Sequence, residues 1–370
     1  MRNITEVKFG EYTLEDILGQ WRWRRINAER NELEGADLSN VDLRNAYLRG
    51  ANLSGANLSG SLLDGADLEE AVMDKATLVE TSLRFANLKK ASLKEADLAE
   101  ADLSSAELED ACLERVFLAN ASLRGAKLSR AFFMESDLFC VDLEWADLEG
   151  SELTRCNLMH ARLTGAKLAF LKGMASDFSY ASVSDACCRN ADFTGANFEG
   201  ADFSGTDFQN ANLKHANLKD SNFGDANLTR VNMRGISFCG GSFIGADLRG
   251  IDFGGADLRE VRFDEADLRN ANFANAFLLK TSFSCARLEN AVFRWAYAKG
   301  AIFESADLKN ADMRMAVLSI ATFTHATLEG AKFTSANLLG ARFSNTDKSS
   351  IDLHDAFNTK FIKMVDETDR

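Results

Sequence analysis

Four histidines (His160, His215, His325 and His354) and seven cysteines (Cys112, Cys140, Cys156, Cys187, Cys188, Cys239 and Cys285) are the residues of this 370-residue chain best suited to metal binding or nucleophilic attack. A metal site needs ligands that converge at recognisable spacing. The histidines lie far apart and no Cys-x-x-Cys pair occurs. No glycine-rich phosphate loop opens a helix. Glu107, Glu109 and Asp110 have the spacing for acid–base work, but among 56 acidic residues they read more simply as solvated charge. The residues argue against an enzyme, and no catalytic, metal or cofactor residue is assigned.

The carboxylates matter more as a surface. Net charge is −14. From Asp64 to Glu114 there are 14 acidic residues against 5 basic, and from Glu135 to Glu152 there are 7 against none. Such a surface repels nucleic acid and attracts basic protein surfaces, although solubility alone also accounts for acidity. The candidate partner-binding set is Asp64, Asp67, Glu69, Glu70, Asp97, Glu100, Asp102, Glu107, Glu109, Asp110 and Glu114, continued by Glu135, Asp137, Asp142, Glu144, Asp147, Glu149 and Glu152.

What positions these side chains is a five-residue repeat, seen cleanly in Ala51-Asn52-Leu53-Ser54-Gly55 and Ala56-Asn57-Leu58-Ser59-Gly60. Every fifth residue from Leu38 to Phe343 gives 62 positions, of which 55 are Leu or Phe, and the residue two before is Ala in 44. Five is the period of neither a helix nor a strand. A fixed register kept this long marks a solenoid, in which each unit buries its apolar residue only by stacking on neighbours. The Ala and the Leu or Phe point inward; the other three positions face water. Nineteen of the 25 glycines, Gly35 through Gly340, fall at multiples of five within the repeat, where the backbone is expected to turn corners at positive φ. Proline is absent, as suits a backbone whose amides serve ladders between coils.

The motif A-[DN]-[LF]-x-x resembles that of the pentapeptide-repeat family over roughly five-sixths of the chain. The resemblance implies an all-β solenoid, a right-handed quadrilateral β-helix with four pentapeptides per coil. That gives about 15.5 coils and, at about 4.8 Å per coil, a rod roughly 75 Å long. One pattern tests the four-sided assumption independently. From Phe243 to Phe343, centres whose numbers end in 3 are Phe in 10 of 11 cases, and those ending in 8 are Leu in 9 of 10. Ten residues are half of a four-sided coil, so Phe and Leu ladders should each line two opposite walls.

Folding the numbering onto 20-residue coils gathers outward apolar residues on neighbouring walls: Phe277, Leu279, Tyr297, Val317, Ile320 and Leu339 on one, Val292, Trp295 and Met315 beside it. With Phe357 and Phe361 these form a candidate apolar interface, large enough to suggest a partner or a second subunit. None of the histidines stacks on another in this folding.

Three segments follow. Residues 1–30 are expected to form an N-terminal helical cap, with Thr13 and Asp16 as a capping box and Leu14, Ile17, Leu18 and Trp21 on one face. Within it, Trp21-Arg22-Trp23-Arg24-Arg25 could contact nucleic acid; tryptophans covering the first coil are the simpler reading. Residues 31–348 are the repeat. Residues 349–370, with Leu353, Phe357, Phe361 and Met364 at helical spacing, are expected to cap the last coil or pair with another subunit as an amphipathic helix, although Ile351-Asp352-Leu353 still obeys the repeat. Leu171-Lys172-Gly173-Met174 moves the large residue to the small position, and a local kink or narrowing is expected there. No signal-peptide pattern or 18-residue apolar stretch is present, and an odd cysteine count suits the cytoplasm.

The resemblance extends to members that mimic B-form DNA, bind DNA gyrase or topoisomerase IV and protect it from inhibitors. That is the functional expectation, with possible C-terminal dimerisation; the alternative is a generic protein-interaction scaffold.

Overall fold

The computed structural model describes residues 8–9, 12–13, 33–233, 236, 238–346, 353 and 355–359. In most repeats the second residue forms a parallel bridge with the residue twenty further on: Asp37 with Asn57, Asn57 with Thr77, Thr77 with Asp97. Four units therefore complete one coil, and four columns of second-position residues form its walls. Each side is too short for an extended strand, because two of its five residues turn the corner; isolated bridges take the place of strands.

The backbone accounting explains the motif. In the unit 56–60, Ala56 N donates to Leu53 O at 3.0 Å and closes the corner. Asn57 N donates to Ala36 O of the preceding coil at 2.9 Å. Leu58 N and Gly60 N donate to Thr77 O and Val79 O of the following coil at 2.7 and 2.9 Å. The remaining amide, Ser59 N, is accepted by Asn57 Oδ1 at 3.1 Å. All five amides are thus satisfied. An Asp or Asn at the second position supplies an acceptor the backbone lacks, and proline would remove a donor wherever it stood.

Corners differ from the expectation in one respect. Positive φ is not confined to glycine but occurs at every described multiple of five from 35 to 345, for example +60° at Trp145 and +55° at Ile320. A left-handed residue with a side chain costs roughly 1–2 kcal/mol. The hydrogen bond most corner amides make to the next coil, as Gly60 N does to Val79 O, offsets that cost.

The interior is a column of centres and small residues, nearly all inaccessible to solvent. Phe243, Phe263, Phe283, Phe303, Phe323 and Phe343 stack along one wall, with centroids 4.7–5.2 Å apart. Phe273 and Phe293 stack on the opposite wall at 4.8 Å and meet the first ladder edge-on, as in the 5.7 Å, 89° pair Phe283–Phe293. Opposite Phe ladders require four sides. Hydroxyls that replace alanine inside the ladder bond to carbonyls of the wall, as Thr81 Oγ1 and Ser136 Oγ donate to Leu58 O and Leu113 O at 2.9 and 2.7 Å.

The chain divides into two compact units, Met1–Asp192 and Phe193–Arg370. In the first, bridges from Glu152 to Lys172 and from Lys172 to Asp192 carry the register straight through the substitution at 171–174. Leu171 is buried in the small-residue slot, so the exchange of large and small keeps the ladder and the expected kink is not found in it.

At the C-terminal end the helical expectation is corrected where residues are described. At the N-terminal end a two-stranded antiparallel pair, β1 (Lys8–Phe9) and β2 (Tyr12–Thr13), occupies part of residues 1–30, and the helix expected to follow Thr13 lies outside the described residues. Leu14, Asp16, Ile17, Leu18 and the Trp21 to Arg25 segment lie outside the described residues. In the second unit Phe357 bridges Asn337, donates to Ala336 O at 2.8 Å and accepts from Leu338 N at 3.1 Å. The repeat register is therefore kept at 355–357, past residue 348, and these residues are not helical. Leu353 and Ala356 stand where the centre and small residue belong, so the solenoid register prevails over helical spacing. Phe361 and Met364 lie outside the described residues.

Candidate functional site: two exposed walls

Of the eighteen carboxylates nominated from sequence, thirteen make ion pairs, mostly with a base one coil away. Glu107 lies between Lys127 Nζ at 2.6 Å and Lys89 Nζ at 2.7 Å. Asp110 accepts both Nε and Nη2 of Arg130 at 2.7 and 2.8 Å. Glu144 is held by Arg124 and Arg162, which also approach Asp142. Asp64 and Asp102 face Arg84, and Glu69 and Glu70 face Arg49. Glu109, Glu114, Glu135, Asp147 and Glu152 pair with Lys89, Lys94, Arg155, Lys167 and Lys172 at 3.3–3.9 Å. The Lys127 and Lys89 ammonium groups hold the Glu107 carboxyl below its ordinary value, and the Arg130 guanidinium does the same to Asp110. The acidic block is thus largely neutralised by interdigitating bases.

Asp67, Asp97, Glu100, Asp137 and Glu149 have no ion pair among the described residues. Three of these, Asp97, Glu100 and Asp137, lie together. The column Asp37, Asn57, Thr77, Asp97, Phe117, Asp137, Asn157, Asp177 is a continuous run of bridges. Its following corner holds Glu80 and Glu100, and beyond them Phe139, Met159, His160 and Tyr180. Column and corner together carry six carboxylates and no Lys or Arg. Phe117 is 52% exposed. His160 stacks on Tyr180 at 5.3 Å and receives the edge of Phe139 at 5.9 Å.

The apolar set occupies the second unit. Phe277, Tyr297, Val317 and Phe357 share one column, with Asn337 between the last two. Trp295 and Met315 stand on the preceding corner and Leu279, Ile320 and Leu339 on the following one; Val292 belongs to the adjacent column. Ile320, 56% exposed, lies against Gly300 and Gly340 one coil to either side. A Cβ built at Gly340 would be 3.2 Å from Ile320 Cγ2, so glycine on both sides leaves the isoleucine standing proud. Lys280 pairs with Glu260, and Arg294 and Arg314 with Asp312.

Sequence reasoning missed the second-position role. Asp67, Asp97, Asp102, Asp137, Asp142 and Asp147 each accept the amide two residues on at 2.9–3.3 Å, so these carboxylates hold the corner as well as facing outward. The recurring [DN] was the available signal. Among the described residues no cluster of His, Cys, Asp or Glu could hold a metal ion.

A four-sided solenoid with one polar acceptor, one small and one large apolar residue per five-residue side defines a class of repeat protein. The family described as pentapeptide repeats (8 copies) matches successive segments from residues 32–64 to 316–347, and the chain belongs to that family, whose fold is the right-handed quadrilateral β-helix. No curated protein matches it. Similar solved structures include HetL, a pentapeptide-repeat protein involved in heterocyst differentiation regulation from the cyanobacterium Nostoc sp. strain PCC 7120. It is 26% identical over 73% of this chain and 96% of that one, with TM-score 0.23. QnrB1, a plasmid-mediated fluoroquinolone resistance protein, is 21% identical over 52% and 93%, with TM-score 0.31. A pentapeptide-repeat protein of the Arabidopsis thaliana thylakoid lumen is 35% identical over 28% and 68%, with TM-score 0.14.

Proposed function

We propose that the chain is a non-enzymatic protein-binding scaffold of the cytoplasm, and that in the unit Phe193–Arg370 the wall of Phe277, Tyr297, Val317 and Phe357 is a contact face for a second copy. The carrying observation is the contiguity of these residues with Trp295, Met315, Ile320 and Leu339, since monomers seldom expose so large an apolar patch. Of its flanking bases Lys280, Arg294 and Arg314 are paired with nearby carboxylates, and Lys299 has no ion pair among the described residues. Trp295→Asp combined with Tyr297→Asp is expected to lower the oligomeric mass in light scattering. An unchanged mass removes the dimer.

A second reading makes the partner a type II topoisomerase, DNA gyrase or topoisomerase IV, bound in place of its DNA and so protected from inhibitors. A net charge of −14 and the resemblance to DNA-mimicking members support it. Ion pairing of most nominated carboxylates weighs against an unbroken row of phosphate-like charges. Purified protein is expected to alter gyrase supercoiling or rescue it from a fluoroquinolone; no effect on either enzyme at micromolar concentration sinks this reading.

A further inference from the structure

In the unit Met1–Asp192 one wall differs from the other three. The Asp97 column and its following corner have carboxylates, aromatic rings and one histidine but no Lys or Arg, whereas acids on the other walls are interleaved with Lys and Arg one coil away. Bases come nearest at the preceding corner, where Lys75 and Arg115 pair with Glu95 and Arg155 with Glu135. Across the following corner the neighbouring column carries Asp102 and Asp142, which pair with Arg84 and with Arg124 and Arg162. Phe117 bridges both Asp97 and Asp137, so an exposed ring stands between two carboxylates, each about 4.8 Å away along the column. The Phe139, His160 and Tyr180 rings continue the apolar surface along the corner.

We propose that this wall docks a segment of another protein in which arginines alternate with aromatic or aliphatic side chains. This rests on the scaffold reading and names the partner chemistry of a second face. A guanidinium over Phe117 gains the ring's quadrupole and reaches the Asp97 and Asp137 carboxylates through its forked donors. The partner's apolar side chains cover Phe139 and Tyr180. Nucleic acid brings the wrong charge. An arginine ladder fits where a lysine point charge gains less, because only the planar group both stacks and forks.

A short synthetic peptide alternating arginine and tryptophan, titrated calorimetrically into the full chain, tests this. Asp97→Asn with Asp137→Asn keeps the Oδ1 that holds each corner, so the fold is retained while the charge is lost. This pair is expected to weaken binding by about tenfold or more, and Phe117→Ala by about fivefold. Glu149→Gln, an unpaired carboxylate on another wall, is expected to leave binding within about twofold. An oligolysine of equal charge should bind more weakly than the arginine peptide. Absence of saturable binding, equal loss in Glu149→Gln, or full affinity in the double variant each overturns the proposal, the second by showing that only net charge is read. The second-copy contact of the scaffold reading fails separately, by unchanged mass of the Trp295 and Tyr297 variant.

Discussion

The rings of Phe283 and Phe303, twenty residues apart, lie parallel within 2° with centroids 5.0 Å apart. That spacing is the rise of one coil, so the stack reports the coil length directly. Phe303 also stacks on Phe323 at 4.9 Å and meets Phe293 edge-on. Phe303→Ala is expected to cost about 3–5 kcal/mol, because a rigid stack cannot close the cavity. Phe303→Leu should cost markedly less. Denaturant midpoints check both; an alanine loss below about 1 kcal/mol would show that the lumen collapses around the gap.

Trp145 crosses Gly165, one coil on, so closely that a Cβ at 165 would fall 2.3 Å from the ring's Cζ3. Gly165→Ala therefore drives the indole away from the corner. The stability loss should be modest, up to about 1 kcal/mol, because the exposed ring has room to swing and corners elsewhere accept side chains. Acrylamide quenching should increase relative to the parent protein. Unchanged quenching would mean that Trp145 does not rest on Gly165 in solution.

Burial pushes the Cys156 thiol up to about 12, and its Sγ donates to Phe133 O at 2.8 Å. At pH 8 only about one molecule in ten thousand carries that thiolate. Iodoacetamide should label exposed Cys285 in the native protein and spare Cys156 until denaturant is added. Native labelling of Cys156 would place it outside the core.

Glu107, held below its ordinary value of 4.5 by hydrogen bonds from Lys127 and then Lys89, makes acid sensitivity testable. A lowered folded value means the carboxylate contributes above pH 4.5 and loses that contribution as pH falls through the lowered value. Glu107→Gln should destabilise at neutral pH by no more than about 1 kcal/mol, since the side chain is partly solvated. Urea midpoints of variant and parent should converge in strong acid and in high salt. A gap that widens on acidification would reverse the assigned sign.

Much was legible in the chain because the period is carried by residue type. Leu58 and Phe283 sit inward because every fifth residue does, and the Phe–Leu alternation distinguished four sides from three. The apolar column of Phe277, Tyr297 and Val317 also followed from counting by twenty. The ends resisted the same reading: helical spacing of Leu353 and Phe357 competes with the repeat, and backbone pairing of Phe357 with Ala336 and Leu338 decides for the repeat over these residues.

By itself the sequence determined the register, the inward and outward positions, and which residues share a column. Only the tertiary structure decided which charges remain. Arg162 neutralises Glu144 and Lys127 neutralises Glu107 from eighteen and twenty residues away, so any count along the chain treats as free what the next coil cancels. Coulomb attraction acts over a few ångströms of space, and in a solenoid the nearest charge in space is a full turn away in sequence. The acidic stretch from Glu135 to Glu152 is therefore mostly paired, and the unopposed carboxylates gather instead beside Phe117.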